Sequence, residues 1–372
     1  MEVTISDEKV KVGIIGTGNI SPKYIQGCRA FDILDLVAVA DIDQARAEKT
    51  AKEFRIPKVL SVEDLLADPE IQIVLNLTVP LTHAKVSLSI LEAGKNVYSE
   101  KPLAVNREDG QKIVSLAKQK GLRVGCAPDT FLFGSLATCR KLIDDGAIGQ
   151  PVAATGFMQS HGPESWHPNP DFYYQVGGGP LFDMGPYYLT MLVNLLGPIR
   201  RVAGSARISF PERIATSQQH SGRHIPVEIP THIAGTLDFT AGPVGTLITS
   251  FDVWGHHLPR IEIYGSEGSL SVPDPNGGDN RIQVYKPAKK EWVDEPVVFD
   301  AEVGRGIGVA DMAYGLVYGR PHRASGDLAY HVLDVMQALG ESSDSNQFVQ
   351  IASQPAKPAA LPLGMAKRQL DK

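Results

Sequence analysis

The chain has 372 residues, of which 43% are hydrophobic and 21% are charged, and its formal net charge is -6. This length suits two domains or one large one, and the composition is that of an ordinary soluble globular protein. The modest acidic charge excludes a strongly basic surface, so we expect neither nucleic acid nor an anionic membrane as a partner.

The three cysteines, Cys28, Cys126 and Cys139, form no Cys-x-x-Cys spacing and are typical of buried free thiols in a reducing compartment. Residues 1–7 lack the charged segment and the long apolar run of a signal peptide. No stretch of the chain reaches transmembrane length. We therefore expect a cytoplasmic protein.

Short apolar strands alternate with helical segments over the first third of the chain. Continuous apolar runs indicate strands that are buried on both faces, and strands separated by helices pair in parallel because parallel pairing needs a crossover. We predict a doubly wound α/β domain of the Rossmann type over residues 1–127. Its predicted strands are Val10–Ile15, Leu34–Ala40, Ile71–Leu77, Val97–Ser99 and Leu122–Cys126.

The pattern changes after residue 127, where helices are followed by many strands with Gly, Pro and Asn turns. We predict an α+β domain over 128–372, with an open, largely antiparallel sheet and helices on one face. The tail, 353–363, is rich in Pro and Ala and is expected to wrap the surface loosely. The predicted elements include helices at 135–145, 181–196, 302–318 and 328–339, a loop at 161–174, and consecutive antiparallel strands at 231–239, 245–254 and 260–264.

A glycine-rich turn joins the first strand to the first helix. Gly16 permits a tight turn, Gly18 lets the backbone approach a pyrophosphate, and Ser21 stands where the usual pattern has a third glycine. Asp41 ends the second strand, at the spacing expected for a carboxylate that binds the ribose hydroxyls and repels a 2′-phosphate. The pattern predicts a dinucleotide site and favours NAD over NADP. Its predicted cofactor contacts are Gly16, Gly18, Asn19, Ile20 and Asp41.

Two later strand ends carry further candidates for this site. Thr78, Pro80 and His83 follow the third predicted strand and are expected to border the cofactor ribose. Glu100 and Lys101 follow the next strand and precede Pro102, which restricts the lysine backbone. A lysine fixed in this way can hold a hydroxyl or carbonyl oxygen while hydride moves, so we assign Lys101 to both cofactor binding and catalysis.

Asp183 and Tyr187 follow three consecutive glycines and lie four residues apart, so on a helix they share a face. Pro186 removes a backbone donor between them and is expected to bend the first turns. An acid beside a phenol, both within reach of Lys101, makes a proton relay. In this relay Tyr187 takes the hydroxyl proton and Lys101 favours the phenolate.

At this point the chain resembles the glucose-fructose oxidoreductase, inositol dehydrogenase and rhizopine-catabolism (Gfo/Idh/MocA) family. The resemblance implies that Lys101 and Asp183 are catalytic and that position 187 carries the acid/base group. Many members have His there, and Tyr187 moves the expected pH profile upward. The resemblance rests on the Gly16-x-Gly18 loop, Glu100–Pro102, Gly146–Gly149, the Gly177–Gly185 segment, Gly265–Gly268 and Gly319–Arg323.

The same resemblance implies a pyranose or a cyclic polyol as substrate, bound between the domains. It also implies a homodimer or homotetramer in which a second subunit covers the open face of the antiparallel sheet. His220, His224, His256 and His257 lack a completing carboxylate or cysteine, so we predict no metal site. The candidate substrate contacts are Asp129, Phe131, Trp166, His167 and His257.

Three functions stay open from the sequence. The first is a dehydrogenase that oxidises a hydroxyl of a sugar or inositol with net reduction of NAD. The second is a glycosidase that uses NAD transiently, by oxidation at C3, elimination of the aglycone and addition of water. The third is a sugar-sensing regulator without chemistry, which has no need of Lys101, Asp183 and Tyr187 together.

Overall fold

The structure is a computed structural model that describes residues 9–167, 169–217, 221–277, 281–299 and 304–372. The strands are β1 Val10–Ile15, β2 Leu34–Ala40, β3 Lys58–Val59, β4 Ile73–Asn76, β5 Asn96–Ser99, β6 Val124–Cys126, β7 Pro151–Gln159, β8 Ile199–Arg207, β9 Glu212–Ile214, β10 His224–Pro226, β11 His232–Phe239, β12 Val244–Ser250, β13 Ile261–Gly265, β14 Ser269–Val272, β15 Ile282–Lys286, β16 Glu291–Glu295 and β17 Val349–Gln350. The helices are α1 Ser21–Cys28, α2 Gln44–Phe54, α3 Val62–Ala67, α4 His83–Glu92, α5 Arg107–Lys120, α6 Gly134–Asp144, α7 Gly179–Leu196, α8 Ile307–Tyr318 and α9 Gly326–Ser345.

The first sheet has the order β3-β2-β1-β4-β5-β6, and all of its neighbouring strands pair in parallel. This confirms the predicted α/β fold of the first third of the chain. The prediction lacked β3, because two residues are too few to show a hydrophobic period. The strand order reverses between β1 and β4, and ligands of such sheets bind at the carboxyl ends of the strands beside that reversal.

The second sheet has nine strands in the order β16-β15-β14-β13-β7-β12-β11-β8-β17 and is largely antiparallel, as predicted. One prediction within it was wrong: β12 and β13 are not neighbours. β7 lies between them and pairs in parallel with β12 and antiparallel with β13. A strand far earlier in the chain cannot be placed between two later ones from local patterns, because that insertion is decided by the packing of the whole sheet.

Helices cover one face of the second sheet and also connect it to the first. α7 packs against β7, β11 and β12, and α9 packs against β8 and α7. The last two helices return to the first sheet, where α9 packs against α5 and β6 and α8 packs against α1 and β6. The first sheet ends at Cys126 and the second begins at Pro151, so we keep residue 127 as the proposed domain boundary.

The tail is fastened to the body of the protein, which corrects the expectation of a loose wrap. Arg323 donates to the carbonyls of Ala359 and Ala360, at 3.0 and 3.2 Å, and Arg140 donates to the carbonyl of Pro358 at 3.0 Å. Asp371 also accepts a 2.9 Å bond from Arg323. The proline and alanine content of the tail gave no sign of this in the sequence, because the bonds at Pro358, Ala359 and Ala360 are made by backbone carbonyls.

Cys28, Cys126 and Cys139 are buried free thiols, as predicted. Burial raises the pKa of the Cys28 and Cys139 thiols well above their ordinary value, so neither is a reactive thiolate at neutral pH. Among the described helices, none is both long enough and apolar enough to span a membrane.

Candidate active site

The predicted dinucleotide loop lies at the carboxyl end of β1 and leads into α1. Gly16 has a φ of +98°, and a Cβ atom there would lie 2.7 Å from the backbone of Leu77, so only glycine fits without strain. A Cβ at Gly18 would meet no atom within 4 Å, which leaves the space above the loop open. The hydroxyl of Ser21 donates to the carbonyl of Gly18 at 2.8 Å and closes the turn. The loop therefore fits a pyrophosphate at the start of α1.

Asp41 lies at the end of β2, where a ribose carboxylate is expected, and it is already bonded on both oxygens. Thr17 donates to it from its backbone N–H at 2.7 Å and from its hydroxyl at 2.9 Å. Arg46 on α2 donates at 2.6 and 3.2 Å. Burial raises the pKa of Asp41, but the bonds from Arg46 and Thr17 outweigh it and lower the pKa to about 2. Asp41 is therefore a fixed carboxylate.

His83 supports the neighbouring loop from below, as its side chain is 1% exposed. Its Nδ1 lies 2.7 Å from the carbonyl of Pro102 and its Nε2 lies 3.0 Å from the carbonyl of Thr78. The hydroxyl of Thr78 donates to Asn76 at 2.7 Å. His83 thus joins the loop after β4 to the turn after β5. It positions the backbone around Thr78 and Pro80, and its buried ring does not face the open side of that loop.

Glu100 likewise connects elements around the site, and its side chain is buried. It accepts a 2.7 Å bond from the hydroxyl of Tyr24 on α1 and a 2.9 Å bond from the backbone N–H of Lys101. The Lys101–Pro102 peptide bond is cis. Glu100 thereby fixes the turn that carries Lys101 to the helix that follows the dinucleotide loop.

The structure brings Lys101, Asp183 and Tyr187 together. Lys101 Nζ donates to Asp183 Oδ1 at 2.8 Å and to the Asp183 carbonyl at 2.6 Å, and it lies 5.3 Å from the centre of the Tyr187 ring. Asp183 and Tyr187 share one side of α7, as their spacing predicts, with Pro186 inside the helix. Burial lowers the pKa of Lys101, but the charges of Asp183, Tyr187 and Glu100 raise it above its ordinary value. Lys101 is therefore an ammonium at neutral pH.

The hydroxyl of Tyr187 has a second cationic neighbour that the sequence did not single out. Arg305 donates from Nη2 to Tyr187 Oη at 2.9 Å. Burial raises the pKa of Tyr187, while Lys101 and Arg305 act to lower it and leave a net rise. Position 305 stands just before α8 in no motif, so nothing in the local sequence indicated it.

The three glycines at the start of α7 lie in close contact with other segments of the chain. A Cβ at Gly178 would lie 2.3 Å from the carbonyl of Phe172 and 2.9 Å from the backbone of Tyr173. Tyr173 thereby comes close to the site, since Asp183, Lys101 and Tyr187 all affect its charge state. Burial raises the pKa of Tyr173 to about 12. A glycine at 178 therefore allows the chain to approach the 171–174 turn closely.

The predicted substrate contacts fall into two groups. Asp129 and Phe131 are 0% and 2% exposed, so as they stand they do not line an open pocket. Asp129 instead accepts from the backbone N–H groups of Gly306 and Gly308. Trp166 is 66% exposed and His257 is exposed, whereas His167 packs edge-on against Trp166 and Tyr173. His167 and Trp166 connect to the site through Tyr173, and Asp129 connects to it through the backbone that follows Arg305.

A buried ion pair anchors the loop that carries Trp166 and His167, which we call the aromatic loop. Arg213 on β9 is 5% exposed and donates to Glu164 Oε1 from Nε and Nη2, at 2.9 and 2.5 Å. It also donates to Asp252 at 2.8 Å. Tyr174 donates to the other oxygen of Glu164. This network positions the chain on both sides of Trp166 and His167.

Over the described ranges, no group of three or more His, Cys, Asp or Glu side chains is placed to hold a metal ion. Of the histidines considered for a metal, His220 lies outside the described residues. His224 pairs with Glu212, and His256 and His257 lie together in the turn after β12.

Comparison with known proteins gives the family of this site. Residues 10–127 match the model of an oxidoreductase family with an NAD-binding Rossmann fold, GFO/IDH/MocA, and residues 136–271 match the GFO/IDH/MocA C-terminal domain. An uncharacterized oxidoreductase of Rhizobium meliloti is 30% identical over 275 residues, which are 72% of this chain and 75% of the relative. The chain belongs to the Gfo/Idh/MocA oxidoreductase family.

Several proteins similar to this chain are named as dehydrogenases of inositols or of levoglucosan. The myo-inositol 2-dehydrogenase of Thermotoga maritima is 22% identical over 70% of this chain and 74% of its own length. The levoglucosan dehydrogenase of Pseudarthrobacter phenanthrenivorans is 25% identical over 71% and 73%. An NADP-dependent scyllo-inositol 2-dehydrogenase of Bacillus subtilis is 22% identical over 77% and 75%.

Solved structures share the fold over nearly the whole chain. An NAD-binding oxidoreductase from Klebsiella pneumoniae superposes with a TM-score of 0.80 at 23% identity, covering 92% of this chain and 99% of that one. Levoglucosan dehydrogenase in complex with NADH and levoglucosan superposes with a TM-score of 0.80 at 21% identity, covering 93% and 100%. The fold of this chain is therefore shared with these structures over more than nine-tenths of its length.

Proposed function

We propose that this protein transfers hydride between a hydroxyl-bearing carbon of a sugar or cyclic polyol and the nicotinamide of NAD. One observation carries the proposal: an ammonium, a carboxylate and a phenol, Lys101, Asp183 and Tyr187, meet at the carboxyl end of β5. The dinucleotide loop lies at the carboxyl end of β1 in the same parallel sheet. Because the carboxyl ends of parallel strands share one edge, the proton relay and the cofactor face the same cleft.

Each residue has a distinct part in this reaction. When bound, the nicotinamide supplies the hydride acceptor. Lys101, held as an ammonium by Asp183, donates to the substrate oxygen and stabilises the negative charge that develops on it. Asp183 orients the lysine and a neighbouring hydroxyl. Tyr187 takes the hydroxyl proton in oxidation and returns it in reduction.

The residues around the cofactor site support NAD in preference to NADP. A carboxylate at the end of the second strand accepts from the ribose hydroxyls, while a nearby arginine accommodates a 2′-phosphate in NADP enzymes. This chain has both groups, since Arg46 is bonded to Asp41. The side chain of Asp41 is 4% exposed and fixed by Thr17, so Arg46 has to leave this carboxylate before it can face a phosphate. We infer that NAD is preferred.

A ringed, hydroxyl-rich substrate is supported by the aromatic side chains beside the relay. Tyr173 is close enough for the charges of Lys101 and Asp183 to act on its hydroxyl, and His167 and Trp166 extend outward from it. Aromatic faces suit the apolar side of a sugar or inositol ring, and half-buried polar groups suit its hydroxyls. The substrates for which the relatives are named, myo-inositol and levoglucosan, have this character.

The outer face of the second sheet supports a homodimer or homotetramer. Phe157 on β7, Ile248 on β12 and Tyr264 on β13 are half-buried there, whereas Leu247 and Thr249 point to the helices and are buried. A second subunit on this face would remove its apolar surface from water.

The test is incubation with NAD and a panel of free sugars, inositols and aryl glycosides, following nicotinamide reduction and aglycone release together. We expect NADH to accumulate with a sugar or polyol. Release of aglycone without NADH would instead establish the NAD-dependent glycosidase. Binding without turnover would favour a sensor.

Variants test the site itself. Lys101→Met and Tyr187→Phe are expected to lower turnover by a factor of about 100 to 10,000 while NAD still binds. The matched controls are Lys85→Met, an exposed lysine on α4, and Tyr188→Phe, the adjacent tyrosine that packs against β7. Unchanged turnover in both Lys101→Met and Tyr187→Phe would refute the assignment of the relay.

A further inference from the structure

Arg305 is placed against the reacting phenol by contacts that its position in the chain does not suggest. Its Nη2 donates to Tyr187 Oη at 2.9 Å and to Asn276 Oδ1 at 2.7 Å. Its guanidinium carbon lies 5.3 Å from the centre of the Tyr187 ring, and Lys101 Nζ lies at the same distance from that ring. The phenol therefore has two cations beside it.

The backbone that carries Arg305 is fixed in the interior. Asp129, which is fully buried, accepts from the N–H groups of Gly306 and Gly308 at 2.7 and 3.1 Å. A Cβ at Gly27 on α1 would lie 1.6 Å from the carbonyl oxygen of Arg305, so α1 and this segment are in direct contact. Arg305 is thus held between the dinucleotide-binding helix and the turn after β6.

The hydrogen bonds decide which form of Tyr187 is stabilised. A guanidinium only donates, so Tyr187 Oη is the acceptor in its bond with Arg305. The proton of Tyr187 is therefore free to be exchanged with another group. A cationic donor on Oη stabilises the phenolate more than the neutral phenol, because charge-assisted hydrogen bonds are the stronger ones.

We propose that Arg305 is a positioning residue of the reaction, which holds Tyr187 Oη in place and stabilises the phenolate that takes the substrate's hydroxyl proton. This inference rests on the proposed function. In oxidation, the hydroxyl O–H bond breaks and its proton forms the Tyr187 O–H bond. The carbon that bears this hydroxyl transfers its hydride to the nicotinamide of NAD, so the carbon becomes a carbonyl and the cofactor is reduced.

The charged groups around Tyr187 come from several elements, and Arg305 and Lys101 are the two cations among them. Burial raises the pKa of Tyr187, and Lys101 and Arg305 oppose that rise. An opposite charge at this range shifts a pKa by about one to three units, so losing Arg305 is expected to raise the titration of Tyr187 by that amount. The charged or titratable groups that face Tyr187 are Lys101, Glu100, Asp183, Tyr173 and Arg305.

The first measurement is a titration of Tyr187 that needs no substrate. The ultraviolet absorbance of phenolate is followed against pH in proteins with Tyr187 and with Tyr187→Phe, and the difference isolates this tyrosine. We expect Arg305→Met to move that titration up by about one to three pH units. Arg305→Lys, which keeps the charge, is expected to shift it less, and Arg200→Met, at an exposed arginine of β8, is the matched control.

The second measurement is the pH profile of kcat for oxidation in the same variants. Arg305→Met is expected to lower kcat about tenfold or more at neutral pH and to recover at alkaline pH, with the Kd for NAD unchanged. An unshifted Tyr187 titration in both Arg305 variants overturns the proposal, as does an equal loss of kcat at every pH. If no substrate is turned over, the titration still tests Arg305. If turnover is found without a shift, the proposed function stands and Arg305 has no such part.

Discussion

The buried ring of His331 on α9 leads us to expect that the protein loses stability in mild acid. The ring is fully buried, and its Nε2 accepts a 3.0 Å bond from the backbone N–H of Ile199. Its Nδ1 lies 2.9 Å from the carbonyl oxygen of Ser353, to which it can only donate. Since a backbone N–H cannot accept, the imidazole must be neutral, with its proton on Nδ1.

The size of the effect follows from the two states of the chain. Burial lowers the pKa of His331 from 6.5 to about 4 in the folded protein. Between these values the unfolded chain binds a proton that the folded protein does not, so stability rises with pH in this window and falls as pH drops from about 6.5 towards 4. The difference corresponds to about 3 kcal/mol of unfolding free energy at the acid end.

The assay is urea unfolding at a series of pH values from about 8 to about 4, followed by circular dichroism. We compare the wild-type protein, His331→Gln, which has no titrating ring, and His257→Gln, which alters an exposed histidine. The wild type and His257→Gln are expected to lose stability on acidification by about 3 kcal/mol more than His331→Gln. Equal pH slopes for the wild type and His331→Gln would refute the reasoning.

Two further predictions concern the cofactor and the aromatic loop. Asp41→Ala is expected to raise the Kd for NAD about 10- to 100-fold and to leave the Kd for NADP unchanged or lower. Arg46→Ala is expected to weaken the binding of NADP only. Isothermal titration calorimetry measures both Kd values, and an equal loss of affinity for the two cofactors in Asp41→Ala contradicts the assignment. Glu164→Gln removes one of the two buried carboxylates that pair with Arg213, leaves Asp252 as the other, and is expected to cost about 1–3 kcal/mol of unfolding free energy. The exposed Glu228→Gln is the control in urea unfolding, and a cost below about 1 kcal/mol in Glu164→Gln would show that the pair is not essential to the fold.

Much of the candidate site could be predicted because its parts are local. The turn at Gly16 needs a positive φ, and Asp183 and Tyr187 share a helix face because they are four residues apart. The position of Lys101 at the end of a buried strand placed it near the cofactor loop, since parallel strands present their carboxyl ends at one edge. Each of these inferences uses residues close in sequence, or a rule that applies to every parallel sheet.

Other predictions depended on contacts that no local pattern specifies. Asp129 looked like a pocket residue after a strand, but it is buried beneath the segment that carries Arg305. β12 and β13 were expected to be consecutive antiparallel strands, but β7 lies between them. In each case the partner is more than eighty residues away, and its position depends on where the chain returns.

The sequence by itself determined the two kinds of sheet, the dinucleotide loop and the lysine, acid and phenol of the proposed relay, because hydrophobic period, turn chemistry and helix spacing are properties of short segments. Only the tertiary structure decided that Arg46 is bonded to Asp41 and that Arg305 is bonded to Tyr187. It also decided that the tail is fastened by Arg323. A guanidinium on a long side chain can reach many acceptors, and the folded structure decides which of them lies within hydrogen-bond distance.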